Sequence, residues 1–81
     1  MMTPTIHLNG TSRDELMRQL IDAREALRTA IYQLCEAYPN GRDYYVQGPD
    51  ALPQAMKEHE SRVARLQSVH DELGDLAESI S

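Results

Sequence analysis

An all-α fold is predicted, in the form of an antiparallel two-helix hairpin. Two observations carry it. Apolar residues recur at alternating steps of three and four over two long stretches, and a connector rich in Pro, Asn and Gly separates them. A third observation extends the prediction to assembly. The chain has 81 residues, four Tyr, no Phe and no Trp, so it lacks the large rings that fill a compact core. A single copy of this size is marginal unless a disulfide, a metal or a partner supports it. Cys35 is the only cysteine, so neither an internal disulfide nor a cysteine-rich zinc site is available. A homo-oligomer, dimer or higher, is therefore expected.

The chain reads as one helical-hairpin domain over 1–81, with an extended arm at 1–10. Pro4 resists helix, and Thr5-Ile6-His7-Leu8 alternates with the period of a strand. Asn9-Gly10 is a turn signal. Helix one is predicted over 12–37. Ser12 is its cap, with Glu15 completing a capping box and Thr11 as the competing cap. Leu16, Leu20, Ala23, Leu27, Ala30 and Leu34 form a heptad seam, in the manner of a coiled coil. A second stripe of Met17, Ile21, Ile31 and Cys35 is interrupted by Arg24 and Arg28, which Asp22 and Glu25 can pair. Two adjoining stripes imply more than one packing partner.

The connector is predicted over 38–50. Pro39 biases Tyr38 away from helix, and Asn40-Gly41 turns the chain. Tyr44-Tyr45-Val46-Gln47 has strand propensity. Helix two is predicted over 51–79, capped by Asp50 and tolerating Pro53 in its first turn. Its seam is Leu52, Met56, His59, Val63, Leu66, His70, Leu73, Ala77 and Ile80, and Gly74 weakens it so that the last turns fray. The two extended segments lie at opposite ends of helix one. They cannot pair within one hairpin but can pair between two antiparallel copies.

The net charge is −5, which argues against binding duplex DNA. Residues 71–81 supply −4 of it, so the remainder is nearly neutral and can hold a local anion site. No apolar run approaches the roughly 18–20 residues of a membrane span, and no secretory signal is expected in MMTPTIHLNG. His7, His59 and His70 have no metal-ligand spacing with Cys35, and no catalytic constellation or glycine-rich phosphate loop is present. Neither a metal nor a cofactor is expected, and the protein is not expected to be an enzyme.

The connector carries the chemistry that remains. Arg42 can take a phosphate through paired hydrogen bonds, Tyr44 and Tyr45 can stack on a base, and Asn40 and Asp43 can meet sugar or base edges. The competing account is a rigid hairpin tip in which these groups bond the backbone. Lys57, His59, Arg62 and Arg65 follow on the first turns of helix two. His59 lies on the apolar seam, where a satisfied core histidine is the alternative to a phosphate ligand, and Glu58 stands four residues before Arg62, so a surface salt bridge is the alternative there.

Ile6-His7-Leu8-Asn9-Gly10-Thr11-Ser12, the Ala- and Leu-rich first helix, Pro39-Asn40-Gly41-Arg42-Asp43-Tyr44-Tyr45 with Gln47-Gly48, and Glu58-His59 followed by Arg62 resemble a family of short accessory proteins of tailed bacteriophages. The NGRDYY connector is the most specific part; Val46 stands where proline is more often expected. The resemblance implies a phage origin and the cytoplasm of the infected bacterial host. By analogy with small oligomeric phage proteins that hold nucleotide immune signals between subunits, a counter-defence role is expected. The ligand would be of cyclic ADP-ribose, ADP-ribose-conjugate or cyclic dinucleotide type, bound without cleavage. Arg42 with His59 or Arg62 would meet phosphates, and Asn9 and Thr11 of a neighbouring copy would close the site. The alternative is a helical interaction module that inhibits a host or phage protein.

Overall fold

The computed structural model describes residues 1–81 as two long helices joined by two short 3₁₀ turns: α1 (Arg13–Glu36), η1 (Gly41–Asp43), η2 (Tyr45–Gln47) and α2 (Ala51–Ile80). There is no β-strand. The helices pack antiparallel: Leu34 meets His59 near the connector, while Arg24 meets His70 and Gly74 further along. The heptad seams make most of the contact, but Ala23 and Ala30 of the expected seam are exposed while Met17 and Ile31 of the second stripe are half-buried. Leu16, Leu20, Leu27 and Leu34 of α1 are half-buried, as are Met56, Val63, Leu66, His70, Leu73 and Ala77 of α2. Only His59 and Ile80 are buried outright. Two helices in one layer cannot enclose a core, because each seam has a neighbour on one side only.

Ser12 caps α1 as expected, its Oγ accepting from the Glu15 backbone N–H at 3.2 Å. The reciprocal half of the capping box does not form. The Glu15 carboxylate is drawn forward to Arg18 at 2.6 Å and Gln19 at 3.1 Å instead. The charge-assisted bond to Arg18 holds the Glu15 carboxyl below its usual range and raises the guanidinium above its own. At the far end α1 tightens into 3₁₀ geometry. The Ala37 N–H donates to the Leu34 carbonyl and the Tyr38 N–H to that of Cys35, before Pro39 stops the helix.

Three local expectations are corrected. Residues 5–8 form no strand; the chain instead turns at His7, where the Gly10 N–H donates to the His7 carbonyl at 3.1 Å. Tyr44-Tyr45-Val46-Gln47 is 3₁₀ turn, not strand. An isolated connector has no strand to pair with, so its backbone groups find partners three residues away, as in Gln47 N–H to Tyr44 C=O at 3.0 Å. Asp50 precedes α2 but its side chain caps nothing. Its backbone is already helical, and Pro53, at the third helical position, has no N–H to offer it.

Gly74 does not end α2, which runs to the buried Ile80. The glycine instead makes room for Arg24. The guanidinium carbon lies 3.1 Å from where a Cβ would stand, and Arg24 Nε donates to the His70 carbonyl at 3.3 Å. Arg28 pairs with Glu25 at 3.2 Å, while Asp22 pairs with Arg18 rather than Arg24. The hairpin with its arm extends 61 × 21 × 16 Å, and its radius of gyration is 18.2 Å. A compact chain of this length has a radius of about 12 Å. No helix is long and apolar enough to cross a membrane.

Candidate functional site

The connector folds back over the junction of the two helices and leaves a cleft of about 470 Å³. Its floor is apolar: Leu34 and Ala37 from α1, Pro39 from the connector, Ala51 and Ala55 from α2. Its rim is polar and aromatic: Tyr44, Gln47, Gln54, Glu58, His59 and Arg62. The rim follows from helical spacing. Gln54, Glu58 and Arg62 stand four apart, so their side chains form one row along α2. Gln54 Nε2 donates to Glu58 Oε2 at 2.9 Å, and Arg62 lies 3.9 Å from Glu58 Oε1. Both members of that last pair are about half exposed, and such a surface pair contributes about 0–1 kcal/mol. Arg62 is therefore free to turn toward an incoming anion.

Arg62 also faces a second, polar groove lined by Lys57, Ser61 and Arg65. One trough thus runs from an aromatic wall at Tyr44 to a cationic end at Arg62 and Arg65. Glu58 lines both parts of it, so one carboxylate stands among these cations.

His59 is the joint of this architecture. It is 5% exposed, and its Nε2 lies 2.7 Å from the Leu34 carbonyl oxygen. A carbonyl only accepts, so Nε2 carries a proton and donates. The Tyr38 ring meets His59 edge to face, with centroids 5.5 Å apart. Tyr38 in turn donates its hydroxyl to Glu60 Oε1 at 2.9 Å. That bond, aided by the nearby carboxylate charge, raises the phenol above its usual range. The core-histidine alternative accounts for this Nε2; the ring itself still forms part of the cleft wall.

The sequence-predicted residues divide into three groups. Tyr44, His59 and Arg62 converge on the cleft. Asn40, Arg42, Asp43 and Tyr45 do not wall it. Asn40 Oδ1 accepts from the Arg42 backbone N–H at 2.9 Å and so shapes η1, which is the hairpin-tip role weighed from sequence. Arg42 and Asp43 are exposed, and Tyr45 is 76% exposed. Asn9 and Thr11 lie before α1, at the opposite end of a helix about 36 Å long. Within one copy they cannot reach the cleft. Glu58 pairs with Arg62 as the four-residue spacing predicts, and it also lines the cleft. Gln47 and Gln54 were missed. Gln54 was recoverable by stepping back in fours from Arg62, whereas Gln47 enters only because η2 is a turn rather than a strand.

No three His, Cys, Asp or Glu side chains stand close enough to hold a metal ion. No protein-family model, curated protein or solved structure matches the chain.

Proposed function

We propose that the protein binds a nucleotide-like small molecule in the cleft between connector and α2 and sequesters it intact, without acting as an enzyme. The observation that supports this reading is the convergence of Tyr44, Gln47, Gln54 and Arg62 around one cleft of about 470 Å³. A tyrosine ring offers a stacking surface, two amides can read base or sugar edges, and a weakly held guanidinium can take a phosphate. The phosphate role assigned from sequence to Arg42 passes to Arg62 and Arg65. Sequestration requires slow release rather than stabilisation of a transition state. On the phage resemblance, the biological setting is the cytoplasm of an infected bacterium, and the ligand is an immune signal of cyclic ADP-ribose, ADP-ribose-conjugate or cyclic dinucleotide type.

The test is isothermal titration of the purified protein against a panel of these nucleotides, followed by mass spectrometry of the recovered ligand. Saturable binding with an unaltered nucleotide supports sequestration. Heat-silent titrations across the panel overturn it, and an altered nucleotide identifies an enzyme. A stoichiometric protein partner captured from infected cells, with no nucleotide retained, favours the interaction module instead.

A further inference from the structure

We propose that two copies of the chain associate antiparallel, with the apolar arm of each copy lying over an apolar groove at the connector end of the other. The groove is separate from the trough but adjoins it at His59, which lines both. Cys35 of α1, Tyr38 just beyond its end, and His59, Val63 and Ala64 of α2 line about 340 Å³ with little polar surface, and Glu60 and Gln67 stand at its edge. Tyr38 turns its hydroxyl outward to Glu60, which leaves the ring to form the wall. Nothing in the same copy covers this groove.

The arm is the complementary feature. Met1, Met2, Ile6 and Leu8 are all exposed, Leu8 to 98%. Its own groove is out of reach. Leu8 stands five residues before Arg13, a span of at most about 17 Å when extended, whereas Cys35 lies about 33 Å along α1. Antiparallel association removes the gap, because the open end of one hairpin then meets the connector end of the other.

Area favours a second copy as the occupant. The chain exposes 6250 Å², whereas a self-sufficient monomer of 9.2 kDa exposes about 4,900 Å². The excess of about 1,300 Å² exceeds the roughly 800 Å² that each partner buries in a standard interface. With two buried residues, the fold needs its cover from the moment it forms, and another copy of the same chain is present at that moment. Antiparallel association also carries Asn9 and Thr11 toward the partner's connector end, yet it requires no ligand in the trough.

Sedimentation of the full-length protein over a concentration series tests this. The expected mass is twice 9.2 kDa, and Leu8→Asp should raise the dissociation constant at least tenfold while helical circular dichroism is retained. In Leu8→Cys, mild oxidation should join the new thiol to Cys35 of the other copy and give a covalent dimer that the parent protein does not form. A monomer at every concentration overturns the proposal. So does a Leu8→Asp variant that dimerises as tightly as the parent, or a Leu8→Cys variant that stays monomeric under oxidation.

Discussion

His59 Nε2 sits 2.7 Å from the Leu34 carbonyl oxygen, so a side chain of α2 binds one of the last carbonyls of α1. The final four carbonyls of a helix lack an intrahelical partner. The Leu34 carbonyl already accepts from the Ala37 N–H, and His59 adds a second donor from the other helix, which sets the register of the hairpin beside the cleft. Replacing His59 with Ala removes a hydrogen bond of about 1 kcal/mol and the packing of a buried ring. The total loss is expected to be about 2–3 kcal/mol. Urea denaturation followed by circular dichroism checks it. A loss below about 0.5 kcal/mol would show that the joint does not hold the helices.

Two glycines call for opposite outcomes. Gly48 has φ 106° and ψ 171°, a region that side chains disfavour strongly, and no atom lies within 4 Å of its virtual Cβ. Gly48→Ala is thus a test of backbone strain alone, and about 1–3 kcal/mol should be lost. Gly74 is helical, and its neighbour is the far end of the flexible Arg24 side chain. Gly74→Ala gains up to about 1 kcal/mol of helix propensity. Arg24 need only shift by a few tenths of an ångström, so the melting temperature should rise. A fall would mean that the Arg24–His70 contact is worth more than the propensity gained.

The Tyr38–Glu60 bond gives stability a dependence on alkaline pH. The phenol is raised in the folded state, so the folded chain holds this proton more tightly than the unfolded chain does. The contribution is complete below the ordinary tyrosine range near pH 10 and disappears as pH climbs through the raised folded value. Tyr38→Phe should therefore melt below the parent at pH 8, and the two curves should converge in strong alkali. Parallel curves from pH 8 to 12 would remove the bond from the account. Asp71 has the opposite sign. Hydrogen bonds from His70 and Gln67 hold its carboxyl below the usual range, so its contribution is lost in acid.

The helices were legible in the sequence because their signal is repeated over several turns. Each apolar position from Leu16 to Leu34, and from Leu52 to Ile80, independently points to the same seam, and the observed bounds lie within a residue of those expected. The connector was not legible in the same way. Tyr44, Tyr45 and Val46 prefer strands on average, but a strand needs a neighbour and η2 has none within one copy. Asp50 looked like a cap because of its type, while the missing N–H of Pro53 decided otherwise. The candidate site divides along this line. Arg62 and His59 were located through helical spacing. In the connector, composition alone gave no reason to place Tyr44 inside the cleft and Tyr45 outside it.

That division supplies the sharpest check on the binding site. Tyr44 and Tyr45 are adjacent and chemically identical, yet only Tyr44 walls the cleft, while Tyr45 is exposed. For a nucleotide that binds in the titration panel, Tyr44→Ala should weaken affinity by roughly 5–100-fold, the range expected for a lost stacking partner. Arg62→Gln should weaken it at least tenfold and reduce its salt dependence, because a charged bond to phosphate is lost. Tyr45→Ala should leave affinity within about twofold, and so should Arg42→Gln, since neither residue reaches the cleft. Equal losses at Tyr44 and Tyr45 would place the ligand on the outer surface of the connector, where Arg42 and Asp43 lie, and would return the site to the residues read first from the sequence.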